Sequence, residues 1–156
     1  MMASVTENRA RSQARSGVVA AVITELAAQF GNRLVTSTAV REQHANTTTW
    51  VENEPADAVV FPQTTENVQQ VVRICAAHGV PVIAFGTGTS LEGQVNAPQG
   101  GVCIDMRDMN RVLAVHAEDL DCVVEPGITR KALNEQSATR ACSSRSIPGP
   151  TPRSAA

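Results

Sequence analysis

Between Ala58 and Gly93 the hydrophobic pattern changes period twice and then breaks on glycine, which restricts the chain to few folds. Ala58-Val-Val-Phe61 is a short apolar run of the kind that forms a buried strand, stopped by Pro62. Apolar residues then recur at helical spacing, at Val68, Val71, Val72, Cys75 and Ala76. Thr65 is placed as the N-cap, Glu66 suits the positive first turn, and Gly79 suits the C-terminal end. Val80 to Phe85 is again strand-like. The order β-α-β predicts parallel strands joined by a right-handed crossover.

The second strand runs into Gly86-Thr-Gly-Thr-Ser-Leu-Glu-Gly93. Glycines open backbone conformations denied to other residues and allow a ligand to approach the main chain. Successive N–H groups in such a turn form a partly positive cradle for phosphate oxygens, and Thr87, Thr89 and Ser90 add small hydroxyl donors. This chemistry suits a pyrophosphate. Its position at the carboxyl end of a strand, where open α/β sheets bind ligands, points the same way. The alternative is a turn that needs glycine for its own conformation alone. Two better-known motifs are excluded. The dinucleotide fingerprint requires glycine where Leu91 stands, and a P-loop requires lysine near Gly93, where Gln94 and Val95 follow.

With 156 residues the chain has room for one domain or part of a larger one, and 42% hydrophobic residues support a core. A net charge of −2 argues against a nucleic-acid footprint, and no apolar run reaches the roughly 18 residues needed to span a membrane. Arg9, Arg11 and Arg15 before Gly17–Ile23 faintly suggest a secretory signal or a mitochondrial presequence, but an ordinary amphipathic helix fits better. Cys75, Cys103, Cys122 and Cys142 form no C-x-x-C pair and read as buried, inert thiols of a reducing cytosol, so a cytoplasmic location is expected. His44, His78 and His116 are scattered, and no metal site is expected.

Residues 1–50 read as a helical lead-in: a polar, mobile stretch to residue 15, a helix capped by Ser16 and running to Phe30, and a polar loop through Thr47–Trp50. Gly101–Asp105 is a further strand. Arg111–His116 and Asp121–Glu125 form a hairpin around Glu118-Asp-Leu120, broken by Pro126-Gly127. A short helix follows with Thr129 as N-cap and Ile128 and Leu133 as a hydrophobic staple.

Five segments in this order resemble one flavoprotein superfamily. They are Arg41–His44, Pro55–Pro62, Gly86–Gly93, Gly100–Asp105 and Val124–Leu133. The superfamily has the vanillyl-alcohol-oxidase or PCMH-type FAD-binding domain, and the closest likeness is to FAD-linked D-lactate dehydrogenases and glycolate oxidase large subunits. The resemblance implies an α+β fold: the N-terminal part of a PCMH-type domain over residues 51–136, with a β-α-β unit and the start of a second mixed subdomain. It implies that Phe85, Gly86, Thr87, Gly88, Thr89 and Ser90 wrap the FAD pyrophosphate, and that Leu91 and Gly93 continue the wall. Pro126 and Gly127 would sit near the adenosine end, or simply end a strand. Charge-assisted hydrogen bonds of this kind contribute about 1.5–3 kcal/mol each. Glu92, beside a charged diphosphate, is expected to face solvent or cap backbone.

The resemblance stops after Gln136. Residues 137–156 lack both periods and have a composition suited to disorder. Reread in a shifted frame with permitted wobble bases, they spell Arg-Asp-Thr-Gly-Leu-Phe-Phe-Pro-Ile-Asp-Pro-Gly-Ala-Asp-Ala-Ser-Leu-Gly-Gly, the continuation that the resemblance implies. One base lost after the Gln136 codon would produce this non-family tail as a frameshift product. The expectation is therefore a truncated FAD-binding fragment of a dehydrogenase of small D-2-hydroxy acids, inactive because its catalytic part is missing. Only the intact protein would bind the hydroxy acid. The alternatives are a stand-alone nucleotide-binding module, or another flavoenzyme of the superfamily such as an alkylglycerone-phosphate synthase or a cell-wall precursor reductase.

Overall fold

A computed structural model describes residues 3–46, 50, 52–89 and 91–138, with side chains from 15 to 136. Residues 47–49, Ser90 and those from 139 onward lie outside the described residues, and with them the readings made for a loop there, for Ser90, for a buried Cys142 and for a disordered tail. The elements in order are helix α1 (Ala3–Phe30), a 3-10 turn (Gly31–Arg33), strand β1 (Leu34–Val35), α2 (Thr38–Ala45), β2 (Ala58–Val60) and α3 (Thr65–Ala77). Strands β3 (Val82–Phe85), β4 (Val102–Asp105), β5 (Val112–His116) and β6 (Asp121–Val124) follow, and α4 (Arg130–Ala138) closes the series.

Four strands make one sheet in the order β1-β2-β4-β3. β2 and β3 both run parallel to β4, and β1 runs antiparallel to β2. The predicted β-α-β unit is thus present with parallel strands, but β4 lies between its two strands. The insertion explains the residue pattern. Every residue of β2 and β4 is buried, as parallel strands covered on both faces must be. Edge strand β3 exposes Val82 and Ala84 and buries Ile83.

Two apolar clusters sandwich this sheet. On one face Val19, Val22, Leu26 and Phe30 of α1 and Val71, Ile74 and Cys75 of α3 pack with Val60, Val102 and Ile104. On the other, Val59, Ile83 and Cys103 gather with Ala56 and Ala97, and Val40, Phe61 and Phe85 pack against them. The hairpin β5-β6 forms a separate two-stranded antiparallel sheet, irregular between Val112 and Ala114.

Four expectations are corrected. Helix α1 starts at Ala3, so Ser16 sits inside it and the stretch before it is helical; its alanine, arginine, glutamate and glutamine favour helix despite lacking an apolar stripe. The α3 cap is Thr64, whose hydroxyl accepts from the Asn67 N–H at 3.2 Å, rather than Thr65. β1 and α2 were not expected, being too short for periodicity to register. Cys122 is exposed rather than buried, because no layer covers its hairpin strand.

The punctuation of α3 behaves as its chemistry requires. Gly79 has φ +65°, its N–H donates to the Ala76 carbonyl at 3.2 Å, and the Val80 N–H donates to the Cys75 carbonyl at 2.9 Å. These paired bonds are a Schellman motif, and they aim the chain into β3.

Candidate functional site

Parallel pairing brings the carboxyl ends of β3 and β4 together, with Phe85 opposite Asp105. The Met106 N–H donates to the Phe85 carbonyl at 3.0 Å, so both chains leave the sheet at one edge. The glycine turn departs from β3 here. Gly88 has φ +67°, and a Cβ on it would lie 2.8 Å from the Phe85 ring, so both conformation and space demand glycine. Gly86 differs: a Cβ there would meet nothing within 4 Å. Its open side is where a ligand can approach the main chain. Thr87 and Thr89 clasp the turn by a hydroxyl–hydroxyl hydrogen bond of 3.1 Å across Gly88.

The facing wall comes from the segment after β4 and the start of α4. The Met109 N–H closes a turn onto the Met106 carbonyl at 2.9 Å, and the Gly127 N–H donates to the Met109 carbonyl at 2.8 Å. A Cβ on Gly127 would run into the Met106 carbonyl oxygen, so this glycine is required by close backbone packing. Thr129 caps α4, accepting from the Ala132 N–H at 3.2 Å. Between the walls lies a cavity of about 280 Å³ lined by Gly86, Thr87, Arg107, Asn110, Gly127 and Thr129, with Ala132 and Gln136 at its end.

Of the residues singled out in the sequence, Gly86, Thr87 and Gly127 share this cavity. Phe85 and Gly88 shape the turn from behind, and Thr89 ties it. Leu91 is 71% exposed, Glu92 and Pro126 are exposed, and Gly93 takes φ +74° further along the loop. None of these four is among the described lining residues.

A buried polar network beneath the turn was not foreseen. His44 of α2 is 3% exposed; its Nδ1 lies 2.7 Å from the Val40 carbonyl and its Nε2 lies 2.8 Å from Asp105 Oδ2. Asp105 is fully buried and also accepts from the Arg107 backbone N–H at 2.9 Å and from Arg107 Nε at 2.7 Å. The Arg107 guanidinium lies over Phe61, and the His44 ring packs on Phe85 with centroids 4.5 Å apart. Hydrogen bonding to Asp105 holds the guanidinium above its ordinary pKa. The one sequence signal for this network was that His44 and Asp105 each end a family-like segment; their partnership has no local trace.

Burial disfavours the thiolate at two cysteines. Burial, and secondarily Asp105, pushes Cys103 up to about 12, and burial pushes Cys75 up to about 11. Among the described residues no group of three ligating side chains can hold a metal ion, and no helix is long and apolar enough to cross a membrane.

Comparison with known families gives this architecture its place. Residues 56–149 match the family model described as an FAD binding domain, a span that includes both walls of the cavity. The chain belongs to this family. It is 44% identical over 125 residues to a probable mitochondrial D-lactate dehydrogenase of Danio rerio, covering 80% of this chain and 25% of that protein. It is 35% identical over 72 residues to the glycolate oxidase subunit GlcD of Bacillus subtilis, covering 46% of this chain and 15% of that one. Among solved structures, p-cresol methylhydroxylase superposes with a TM-score of 0.69 at 25% identity, over 80% of this chain and 25% of its own. The expected α+β, PCMH-type fold and its FAD cofactor are therefore established, and the chain spans about a quarter of the length of the first relative.

The residues present fit that cofactor. The space beside Gly86 that a Cβ would take is open, and Thr87 and a cation, Arg107, line the same cavity.

Proposed function

We propose that this chain is the pyrophosphate-holding part of an FAD-dependent dehydrogenase of small D-2-hydroxy acids. The observation that carries the reading is the single cavity shared by Gly86, Thr87 and Gly127 at the carboxyl ends of β3 and β4. Amides of residues 86–89 would hold the diphosphate, and Gly127 would border the adenosine side. Bound flavin supplies a hydride acceptor for the substrate carbon. We assign no catalytic residue here, because no carboxylate or histidine lines the described cavity. The substrate class rests on the two relatives, named for D-lactate and glycolate chemistry.

The same reading treats residues 137–156 as a frameshift product, although the family match runs on to residue 149, and the 156-residue chain as an inactive fragment. Coding DNA tests it directly: wobble bases from Ala138 through Ala155 must spell the shifted segment, and any other sequence rejects the frameshift. Free Cys75, Cys103 and Cys122 support a reducing compartment, for which we propose the cytoplasm. The net charge of −2 supports the absence of a nucleic-acid partner.

The binding experiment is a titration of FAD into isotope-labelled chain followed by amide resonances. Amides of Gly86, Thr87 and Gly88 shift on saturation with weak affinity, and D-lactate reduces no dye. Gly88→Val abolishes the shifts. Equal shifts in that variant would return the turn to a purely conformational role, and dye reduction would overturn the fragment reading.

A further inference from the structure

We propose that Arg107 is a second anion-binding group of this cavity, oriented by Asp105 on a buried His44, and that it docks on the diphosphate of FAD. The inference rests on the FAD reading above and extends it to a side chain. Arg107 lines the cavity opposite Gly86 and Thr87, where the backbone cradle supplies only neutral donors. Its guanidinium is half exposed, while Nε and Nη2 are tied to Asp105, whose carboxylate is fully buried. With Nε and Nη2 held at Asp105, the half-exposed planar fork presents its other edge away from that carboxylate, where a phosphate oxygen can approach.

His44 shares the Asp105 carboxylate with Arg107. Both ring nitrogens face oxygen acceptors, the Val40 carbonyl at 2.7 Å and Asp105 at 2.8 Å. Arg107 Nη2 also lies 3.4 Å from His44 Nε2, beside the carboxylate. Asp105 is thus held from two sides, by His44 and by Arg107, which fixes the orientation of the guanidinium. Asp108, on the exposed turn, acts on Arg107 mainly through solvent. His44 also packs on Phe85, the ring that backs Gly88, which couples the position of Arg107 to the shape of the turn.

The test compares the whole 156-residue chain with Arg107→Met and Arg107→Lys, titrated with FAD, inorganic pyrophosphate and riboflavin at several salt concentrations. Arg107→Met keeps an unbranched stem and removes the charge, and with it the contact of the guanidinium on Phe61. It is expected to weaken FAD and pyrophosphate binding roughly tenfold, as loss of one charge-assisted contact implies, and to flatten the salt dependence. Riboflavin, which lacks phosphate, is unaffected, and Arg107→Lys recovers part of the loss. If Arg107→Met binds FAD within about twofold of the parent with the same salt dependence, while Gly88→Val does not bind, the cradle stands and the role of Arg107 falls. If the parent chain binds neither FAD nor pyrophosphate, both readings fall. An equal loss for riboflavin would show that Arg107 is merely structural and would also overturn the proposal.

Discussion

Glycine has three different reasons for being in this site, and they separate experimentally. At Gly86 a Cβ meets open space, so Gly86→Ala is expected to leave the melting temperature unchanged while, under the proposed cradle, weakening FAD binding. At Gly127 a Cβ collides with the Met106 carbonyl, so Gly127→Ala is expected to lower stability by about 1–3 kcal/mol, the range for overpacking, measured by denaturant unfolding. Gly88 combines positive φ with contact against Phe85. The cysteines give a second residue-scale prediction. A raised thiol pKa means less thiolate at any working pH, so Cys75 and Cys103 resist alkylation in folded protein even at pH 9, whereas exposed Cys122 reacts first. Peptide mapping after brief alkylation checks the order, and early labelling of Cys103 would contradict the packing around β4.

At the scale of elements, the ends matter more than the middles. Thr64→Ala removes the hydroxyl that caps α3 and is expected to cost about 1 kcal/mol, read as a shift in urea midpoint with unchanged m-value. The hairpin is pinned by Glu125, which accepts from the Arg111 backbone N–H at 2.8 Å and from its guanidinium at 2.6 Å. Those Arg111 hydrogen bonds hold the Glu125 carboxyl below its ordinary value. The sign follows by linkage: a depressed carboxylate adds stability above its unfolded pKa of about 4.3, and that stability disappears as pH falls through the lower folded value. Glu125→Gln is therefore expected to melt lower than the parent at pH 7, with the gap closing toward pH 3. A gap independent of pH would assign the effect to packing instead.

For the molecule as a whole, one face of the sheet depends on α1. Val22 and Leu26 are fully buried against α3 and the central strands, so the second half of this helix is core. Leu26→Ala is expected to cost about 2–5 kcal/mol, the range for emptying a packed leucine site. A change within the few tenths typical of surface positions would detach α1 from the fold. The hairpin sheet stands at the opposite extreme. Leu113 and Val123 are about half exposed on strands that pair only with each other among the described residues. Stability is therefore concentrated where β2 and β4 are covered on both sides.

Local chemistry was enough to read the β2-α3-β3 run, the glycine turn, the β5-β6 hairpin and the Thr129 cap, because period, punctuation and capping act within a few residues. Local patterns did not reveal the place of β4 between β2 and β3, which depends on pairing Val102–Asp105 with two segments remote in the chain. They also left His44 as one of three scattered histidines, although it bonds to Asp105 across 61 positions. The cavity has the same origin. Gly86 and Gly127 meet only because parallel strands end at one edge and a backbone turn after β4 leaves room for no side chain. Residue type and spacing thus determined the glycine turn, and long-range packing alone decided what stands opposite it.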